Sequence, residues 1–325
     1  MKRLLQTELE NRRAFPDSAG LNIMLYLNIV LMVFILPLFH GTANADETAA
    51  ESRQPIKVFV SILPTEYFVQ RIGGNRILVE TLVQPGQSPA TYAPTPKQMA
   101  KLASSKIYFR VGVPFENGLL PKLARSLPEL SIVDLQDGID LQKLDEHDDR
   151  DDHNHQEGDI DPHTWLDPML ALGQAGIIRD TLAKADPEGK EEYNTNYLKL
   201  SADLEDLDRF LREKLAPFYG STIYVFHPAY GYFCRAYNLQ QKAITPGGKE
   251  PGAQYIVHLI EQARKDRVRV IFVQPQFSAK AAGTIAHAIE GAVVALDPLA
   301  YDYITNLKLM ARQITQSLPE PAKQK

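Results

Sequence analysis

The sequence predicts an α/β protein with two lobes, each with a central, mostly parallel sheet flanked by helices, joined by one long rigid helix. Short β-branched segments alternate with helical segments twice, before residue 145 and again after residue 217. Near-continuous apolar strands between helices are typical of parallel sheets that are covered on both faces. The length of 325 residues and the apolar content of 44% fit about two globular domains.

The first block of alternation is delimited by Gly and Pro residues, which end regular structure. We expect strands at residues 56–63, 77–83 and 107–111, and helices at residues 68–72, 97–104 and 117–125. The second block predicts strands at residues 222–226, 268–273 and 292–296, and helices at residues 257–263 and 279–289.

The longest helical pattern lies between the blocks, at residues 191–215, after a shorter helix expected at residues 170–185. Its apolar residues recur every three or four positions, which places them along one face of a helix. They are Tyr193, Tyr197, Leu200, Leu204, Leu207, Leu211 and Leu215. We therefore interpret residues 188–217 as a linking helix between an N-terminal lobe, 46–187, and a C-terminal lobe, 218–325.

Residues 1–45 have the pattern of a secretory signal. Basic residues precede an apolar run at 21–39, and Ala43-Asn44-Ala45 is a small-x-small cleavage pattern. We expect cleavage after Ala45 and a periplasmic location. The run is close to the ~20 residues that span a bilayer, so an uncleaved anchor is the alternative. No cysteine lies close behind the run, which argues against a lipid anchor at that position.

Charge and cysteine content exclude some classes of function. A formal net charge of −5 argues against broad nucleic-acid binding, which needs a basic surface. The single cysteine, Cys234, allows no disulfide within the chain, and its aromatic surroundings predict a buried side chain. Residues 145–159 are almost wholly charged or polar, so they cannot bury apolar area and are expected to form a loop.

Two histidines and one aspartate occupy positions from which a ligand group is expected to project. His227 and Asp297 each end a predicted strand, and the carboxyl ends of such strands face a crevice. His163 lies between two Asp-Pro pairs, where proline restricts the backbone. Two imidazoles and a carboxylate suit a divalent transition metal, with zinc favoured. A turn-forming role remains open for each residue, because Asp-Pro also opens turns.

Other candidate ligands are weaker. The acidic loop carries three histidines, which could gather metal or merely belong to a solvated linker. The possible accessory ligands are His147, His153, His155 and the carboxylate Glu66. His258 and His287 lie within predicted helices and are expected on helix faces rather than at a metal.

Two motifs carry a resemblance to a known family: Asp161–Pro168, DPHTWLDP, and Phe226–Phe233, FHPAYGYF. Residues 248–251, 271–277 and 296–299 support it. From about residue 56 to 299, the chain resembles the metal-binding solute receptors of ABC importers, the zinc and manganese family. The acidic loop also resembles those of zinc-selective members.

The resemblance implies the same two-lobed fold with one long helix. It implies a metal held by His163, His227 and Asp297, with zinc as the transported ion and manganese as the alternative. The implied partners are an ABC-importer permease and its ATPase, and we expect a monomer.

The segment Pro85–Pro96 departs from the family pattern. It resembles the family's first ligand loop, but Ala90 stands where a histidine is usual and Ala93 where a glutamate is usual. Alanine has no donor atom, so one of four ligands is missing. Water, a histidine of the acidic loop or Glu66 could complete the site.

Two other functions share these features. A zinc-dependent hydrolase also uses two histidines, one aspartate and an open position. However, the sequence contains no His-Glu-x-x-His motif and no nucleophile elbow. A metal-binding adhesin would share the fold. Resemblance along nearly the whole mature chain favours a receptor without catalytic activity.

Overall fold

The computed structural model describes residues 54–144, 160–244, 253–265, 268–277 and 279–319. The predicted leader, 1–45, and the acidic loop, 145–159, lie outside the described residues, as do the loop histidines His147, His153 and His155. The described residues belong to one compact unit, Arg53–Lys325. No helix among them is long and apolar enough to cross a membrane.

The first sheet has four parallel strands in the order β2-β1-β3-β4. The strands are β1 (Ile56–Val60), β2 (Ile77–Thr81), β3 (Ile107–Arg110) and β4 (Ser131–Asp134). The helices that connect and follow them are α1 (Leu63–Gly73), α2 (Pro96–Leu102) and α3 (Pro114–Ser126). The parallel arrangement confirms the prediction for this lobe.

Strands β1 and β2 end three and two residues before their predicted ends, and α3 begins three residues early. Two larger differences concern α1 and β4. Helix α1 begins at Leu63, five residues before the expected start, because Pro64 lies in the first turn, where its missing N–H breaks no helical hydrogen bond. Strand β4 was not predicted. It is a four-residue edge strand with one exposed and three half-buried residues, so it has no continuous apolar run.

The second sheet repeats the pattern with the order β6-β5-β7-β8, again parallel. Its strands are β5 (Thr222–Val225), β6 (Gln240–Ala243), β7 (Val270–Val273) and β8 (Ala292–Ala295), and its helices are α6 (Gly231–Ala236), α7 (Ala253–Lys265) and α8 (Ala279–Ala288). Neither α6 nor β6 was predicted, since α6 is a helix of only 6 residues and β6 is a polar edge strand, Gln-Gln-Lys-Ala.

Helix α5 (Lys190–Leu215) is the long helix between the sheets, with α4 (Pro168–Ala185) before it. Its 26 residues give a length of about 39 Å. The predicted apolar stripe is confirmed, because six of its seven residues are buried and Tyr197 is partly buried. Helix α9 (Tyr303–Ser317), which was not predicted, packs on α5.

The parallel order places several loops at one edge of the second sheet. His227 follows β5 by two residues, Gln274 follows β7 directly, and Asp297 follows β8 by two residues. Strand β7 lies between β5 and β8, so the segment after β7 is positioned to contact both neighbouring loops.

Candidate metal centre

The two predicted histidine ligands lie side by side. The ring centroids of His163 and His227 are 5.4 Å apart, with the ring planes at 71°. His163 comes from the turn before α4 and His227 from the loop after β5. The tertiary structure thus brings together two imidazoles that are separated by 64 positions in the sequence.

A buried carboxylate orients His163. Asp161 is 1% exposed, and its Oδ1 lies 2.6 Å from the His163 ring Nδ1 and 2.9 Å from the His163 backbone N. An ionised carboxylate can only accept hydrogen bonds, so Nδ1 carries the proton. In the neutral ring, Nε2 is then the nitrogen with a free lone pair, which is the atom that a metal ion requires.

The backbone of His227 is held by a buried amide. Gln274, which is 1% exposed, accepts a hydrogen bond from His227 N at 3.3 Å and donates one to His227 O at 2.8 Å. The Phe277 ring lies 5.3 Å from the His227 ring. These contacts place the imidazole beside His163 and limit its movement.

The side chain of His227 has an unusual environment. Its Nδ1 is buried and has no hydrogen-bond partner among the residues that the structure describes. Burial, and secondarily repulsion from a charged His163, lowers the pKa of His227 to about 3. The imidazole is therefore neutral near pH 7, which is the form that binds metals. Because buried polar atoms rarely lack a partner, this imidazole is a candidate metal ligand.

Asp297 is oriented by donors on one of its oxygens. Its Oδ1 accepts hydrogen bonds from Gln276 Nε2 at 2.9 Å and from Leu299 N at 3.0 Å. The adjacent peptides are also held in place. Trp165 Nε1 donates to Pro298 O at 2.8 Å, and Tyr230 OH donates to Leu296 O at 2.8 Å. The Asp297 loop is thus bonded to the loops that carry both histidines.

Asp297 also lines a cavity of about 220 Å³ between the lobes. The first lobe contributes the segment Val83–Gly86, and the second contributes Gln276 and Asp297. This segment begins the loop that resembles the family's first ligand loop. Ala90, further along the loop, is exposed and is not among the cavity-lining residues.

No other candidate among the described residues completes a group of three ligands with the histidine pair. Within the described ranges, no three His, Cys, Asp or Glu side chains stand close enough together to hold a metal ion. Glu66 is half-buried and accepts a hydrogen bond from Thr81. His287 is exposed in α8, as expected from its helical context, and His258 lies within α7. Cys234 is 3% exposed, which confirms its predicted burial.

Three residues with a clear role in the geometry were not predicted: Asp161, Gln274 and Gln276. The first had a local signal, because an aspartate two positions before a histidine can bond both its backbone and its ring. The two glutamines had a weaker signal, since residues that alternate after a buried strand can face the loops on either side of it.

The comparisons with known proteins identify the family. The protein-family model described as zinc-uptake complex component A, periplasmic (ZnuA), matches residues 58–317 of this chain. The chain belongs to this family. The ZnuA family consists of solute-binding receptors of ABC importers rather than enzymes, which confirms the predicted class of protein and its fold.

Individual relatives agree with this assignment. The chain is 27% identical over 280 residues to the high-affinity zinc uptake system protein ZnuA of Bacillus subtilis (strain 168), covering 84% of this chain and 88% of that protein. A crystal structure of a zinc-bound ZnuA deletion mutant is 35% identical with a TM-score of 0.74, covering 83% of this chain and 100% of that one.

A third relative differs in the metal that its name states. The manganese-binding lipoprotein MntA of Halalkalibacterium halodurans is 26% identical over 219 residues, covering 67% of this chain and 69% of that protein. Membership of the ZnuA family therefore fixes the class of receptor, and the relatives support zinc as the ion with manganese as the alternative.

Proposed function

We propose that this protein captures zinc outside the inner membrane and delivers it to the permease and ATPase of an ABC importer. The histidine pair carries the proposal. His163 has its Nδ1 engaged by a carboxylate, and His227 has a buried ring nitrogen without a described partner, 5.4 Å away between ring centroids. Two adjacent imidazoles are typical of zinc sites, whereas manganese prefers oxygen ligands.

The proposed ligand set is His163, His227 and Asp297. Because Asp297 Oδ1 already accepts two hydrogen bonds, we expect it to bind the ion through Oδ2. That leaves one position of a tetrahedral zinc for water, for Glu66 or for a histidine of the acidic loop. Since no three such ligands are gathered in the described residues, zinc binding should draw Asp297 toward the histidine pair.

The proposal includes a location and a state of assembly. The protein is exported, with cleavage after Ala45, and acts as a monomer with lobes 46–187 and 218–325 joined by the helix at 188–217. Support comes from the signal pattern and from the family's description as periplasmic. Mass spectrometry of the native protein should find an amino terminus at Asp46, and an intact Met1 in the cytoplasmic fraction would contradict export.

The metal is tested directly by binding. Protein purified without added metal should contain zinc by elemental mass spectrometry, and metal-free protein should prefer zinc to manganese in chelator competition. His163→Ala and His227→Ala should each weaken zinc binding by at least ~10-fold, because even changes next to ligands cost 10–100-fold. The control is His287→Ala, which removes an exposed histidine of α8.

Three outcomes would overturn parts of the proposal. Equal losses from His287→Ala and His227→Ala would show that the wrong histidines are assigned. Preference for manganese would make this a manganese receptor of the same class. Zinc-dependent turnover of esters or peptides, abolished by His227→Ala, would favour a hydrolase instead.

A further inference from the structure

We propose that Asp161 positions the His163 side chain and that Gly231, on the His227 loop, leaves the space that the Asp161 carboxylate occupies. The contact between Asp161 and Gly231 then links the positions of the two histidine loops. The inference rests on the proposed zinc site. Neither residue is proposed to touch the metal.

The Asp161 backbone is fixed from both sides. Its N–H donates to Gln142 O at 2.9 Å, and its carbonyl accepts a hydrogen bond from Tyr232 OH at 3.3 Å. The Tyr232 oxygen also accepts from Gln142 N at 2.9 Å. Because the backbone is held and the residue is 1% exposed, the carboxylate has little freedom to seek other partners.

Each oxygen of the Asp161 carboxylate contacts a different histidine loop. Oδ1 takes both hydrogen bonds from His163, at 2.6 Å from Nδ1 and 2.9 Å from the backbone N. Oδ2 faces Gly231, which lies four residues after His227, at the start of α6. Asp161 therefore lies between the His163 imidazole and the segment that carries His227.

Glycine at 231 is required for space. Its backbone φ is not positive, so the conformation itself is open to any residue. A Cβ there would lie 2.6 Å from Asp161 Oδ2 and 3.3 Å from Gln241 Nε2. A methyl group would thus displace the Asp161 carboxylate. Since the other carboxylate oxygen holds His163, the displacement would be transmitted to the ligand.

The consequence for the ligand is a fixed tautomer and a fixed ring direction. With Nδ1–H bonded to the carboxylate, Nε2 keeps its lone pair and the ring stays beside His227 and Trp165, whose centroids lie 5.4 and 5.2 Å away. Carboxylate partners of this kind raise ligand basicity, and their loss costs roughly 10–100-fold in metal affinity.

The test measures zinc affinity and the tautomer of His163 separately. Asp161→Ala, Asp161→Asn, Gly231→Ala and the reference His163→Ala are titrated with zinc by chelator competition at about pH 8, where an unperturbed imidazole is neutral. In metal-free protein labelled with ¹⁵N-histidine, long-range ¹H–¹⁵N spectra report which nitrogen carries the proton. The His163 signals are assigned by their loss in His163→Ala.

We expect the wild type to show His163 protonated on Nδ1. Asp161→Ala removes the acceptor and should lose the dominance of that form. Asp161→Asn keeps an oxygen acceptor but loses the charge, and it should lose roughly 10–100-fold in zinc affinity. Gly231→Ala should weaken binding in the same direction. The matched control is Gly173→Ala in α4, where an added Cβ meets no atom within 4 Å, and its zinc affinity should be unchanged.

A double-mutant cycle tests the link between the two positions. With Asp161→Ala there is no carboxylate to displace, so adding Gly231→Ala should cost no further affinity. An equal cost in both backgrounds would show that Gly231 acts by another route and would overturn the shared contact. If Asp161→Asn does not fold, Gly231→Ala and its tautomer spectrum decide the question.

The outcomes separate the inference from the proposed function. If His163→Ala leaves zinc affinity unchanged, the proposed site is wrong. If His163→Ala weakens binding but Asp161→Ala and Gly231→Ala keep both the affinity and the Nδ1–H tautomer, the site stands and the positioning role of Asp161 is refuted.

Discussion

Gln274 offers a way to disturb a proposed ligand without touching its side chain. Its amide bonds the backbone N and O of His227 at 3.3 and 2.8 Å, and it is 1% exposed. In Gln274→Leu the shape is nearly kept and both bonds are lost. His227 O retains its bond from Ala229 N at 2.8 Å, so the principal loss is the partner of His227 N.

The expected cost follows from that single unsatisfied donor. A buried N–H without a partner costs about 1–3 kcal/mol, so unfolding of the metal-free variant in urea should show a loss of that size. Because the backbone beside His227 is released, zinc affinity should also fall by about 10-fold, the lower end for residues that support ligands. The control is Gln316→Leu, at an exposed position in α9.

Two results would refute the reasoning. Unchanged stability would mean that His227 N finds another partner and that Gln274 is not a clamp. Lost stability with unchanged zinc affinity would mean that the clamp supports the fold but does not orient the ligand. Zinc titration of the folded variant, checked by circular dichroism, distinguishes the two.

Three further predictions concern pH, the first ligand loop and the acidic loop. The pKa of His227 falls from 6.5 to about 3 on folding. Between these pH values the unfolded state binds a proton at His227 and the folded state does not. The free energy of unfolding of the metal-free protein should therefore fall as the pH drops through this window, by up to ~1.4 kcal/mol per pH unit. His227→Asn should flatten this dependence in urea unfolding, and parallel profiles would contradict the assignment. Ala90→His should add a fourth protein ligand and tighten zinc binding by more than ~10-fold, or ~1.4 kcal/mol. If a histidine of the acidic loop already fills that position, the gain should appear only when the loop is deleted. No gain in either background would show that Ala90 does not face the metal. Deleting residues 145–159 should leave cooperative thermal unfolding intact while zinc uptake at scarce metal falls, and loss of the transition would show that the loop is part of the core.

Metal capture and release have to act through the bonded loops around the site. Trp165 joins the His163 turn to Pro298, while Tyr230 joins the His227 loop to Leu296. Both donors are fully buried, and their bonds hold the loop of Asp297 against those of the histidines. We therefore expect metal binding to move the Asp297 side chain and the cavity wall at Val83–Gly86 more than the histidine loops.

Several features were determined by local sequence patterns. The stripe of Leu residues in α5 predicted a long helix because a repeat of three and four residues buries only one helical face. Apolar strands such as Ile107–Arg110 predicted the parallel sheets, since a strand that is covered on both faces does not alternate between apolar and polar residues. The positions of His163 and His227 followed from proline and from strand ends. Each of these patterns depends only on residues that are close together in the sequence.

What only the tertiary structure decided depends on contacts between distant residues. Edge strands β4 and β6 have no apolar run, because each is stabilised by pairing with a neighbouring strand, which a local pattern cannot show. Gln274 and His227 are 47 positions apart, and Trp165 and Pro298 are 133 apart. Asp161 illustrates both levels: its bond to His163 is local, but its burial against Gly231 exists only once the two lobes are packed together. The sequence therefore determined which side chains could bind a metal, and packing decided which of them are oriented, buried and adjacent, because orientation and desolvation depend on neighbours that the chain brings together only on folding.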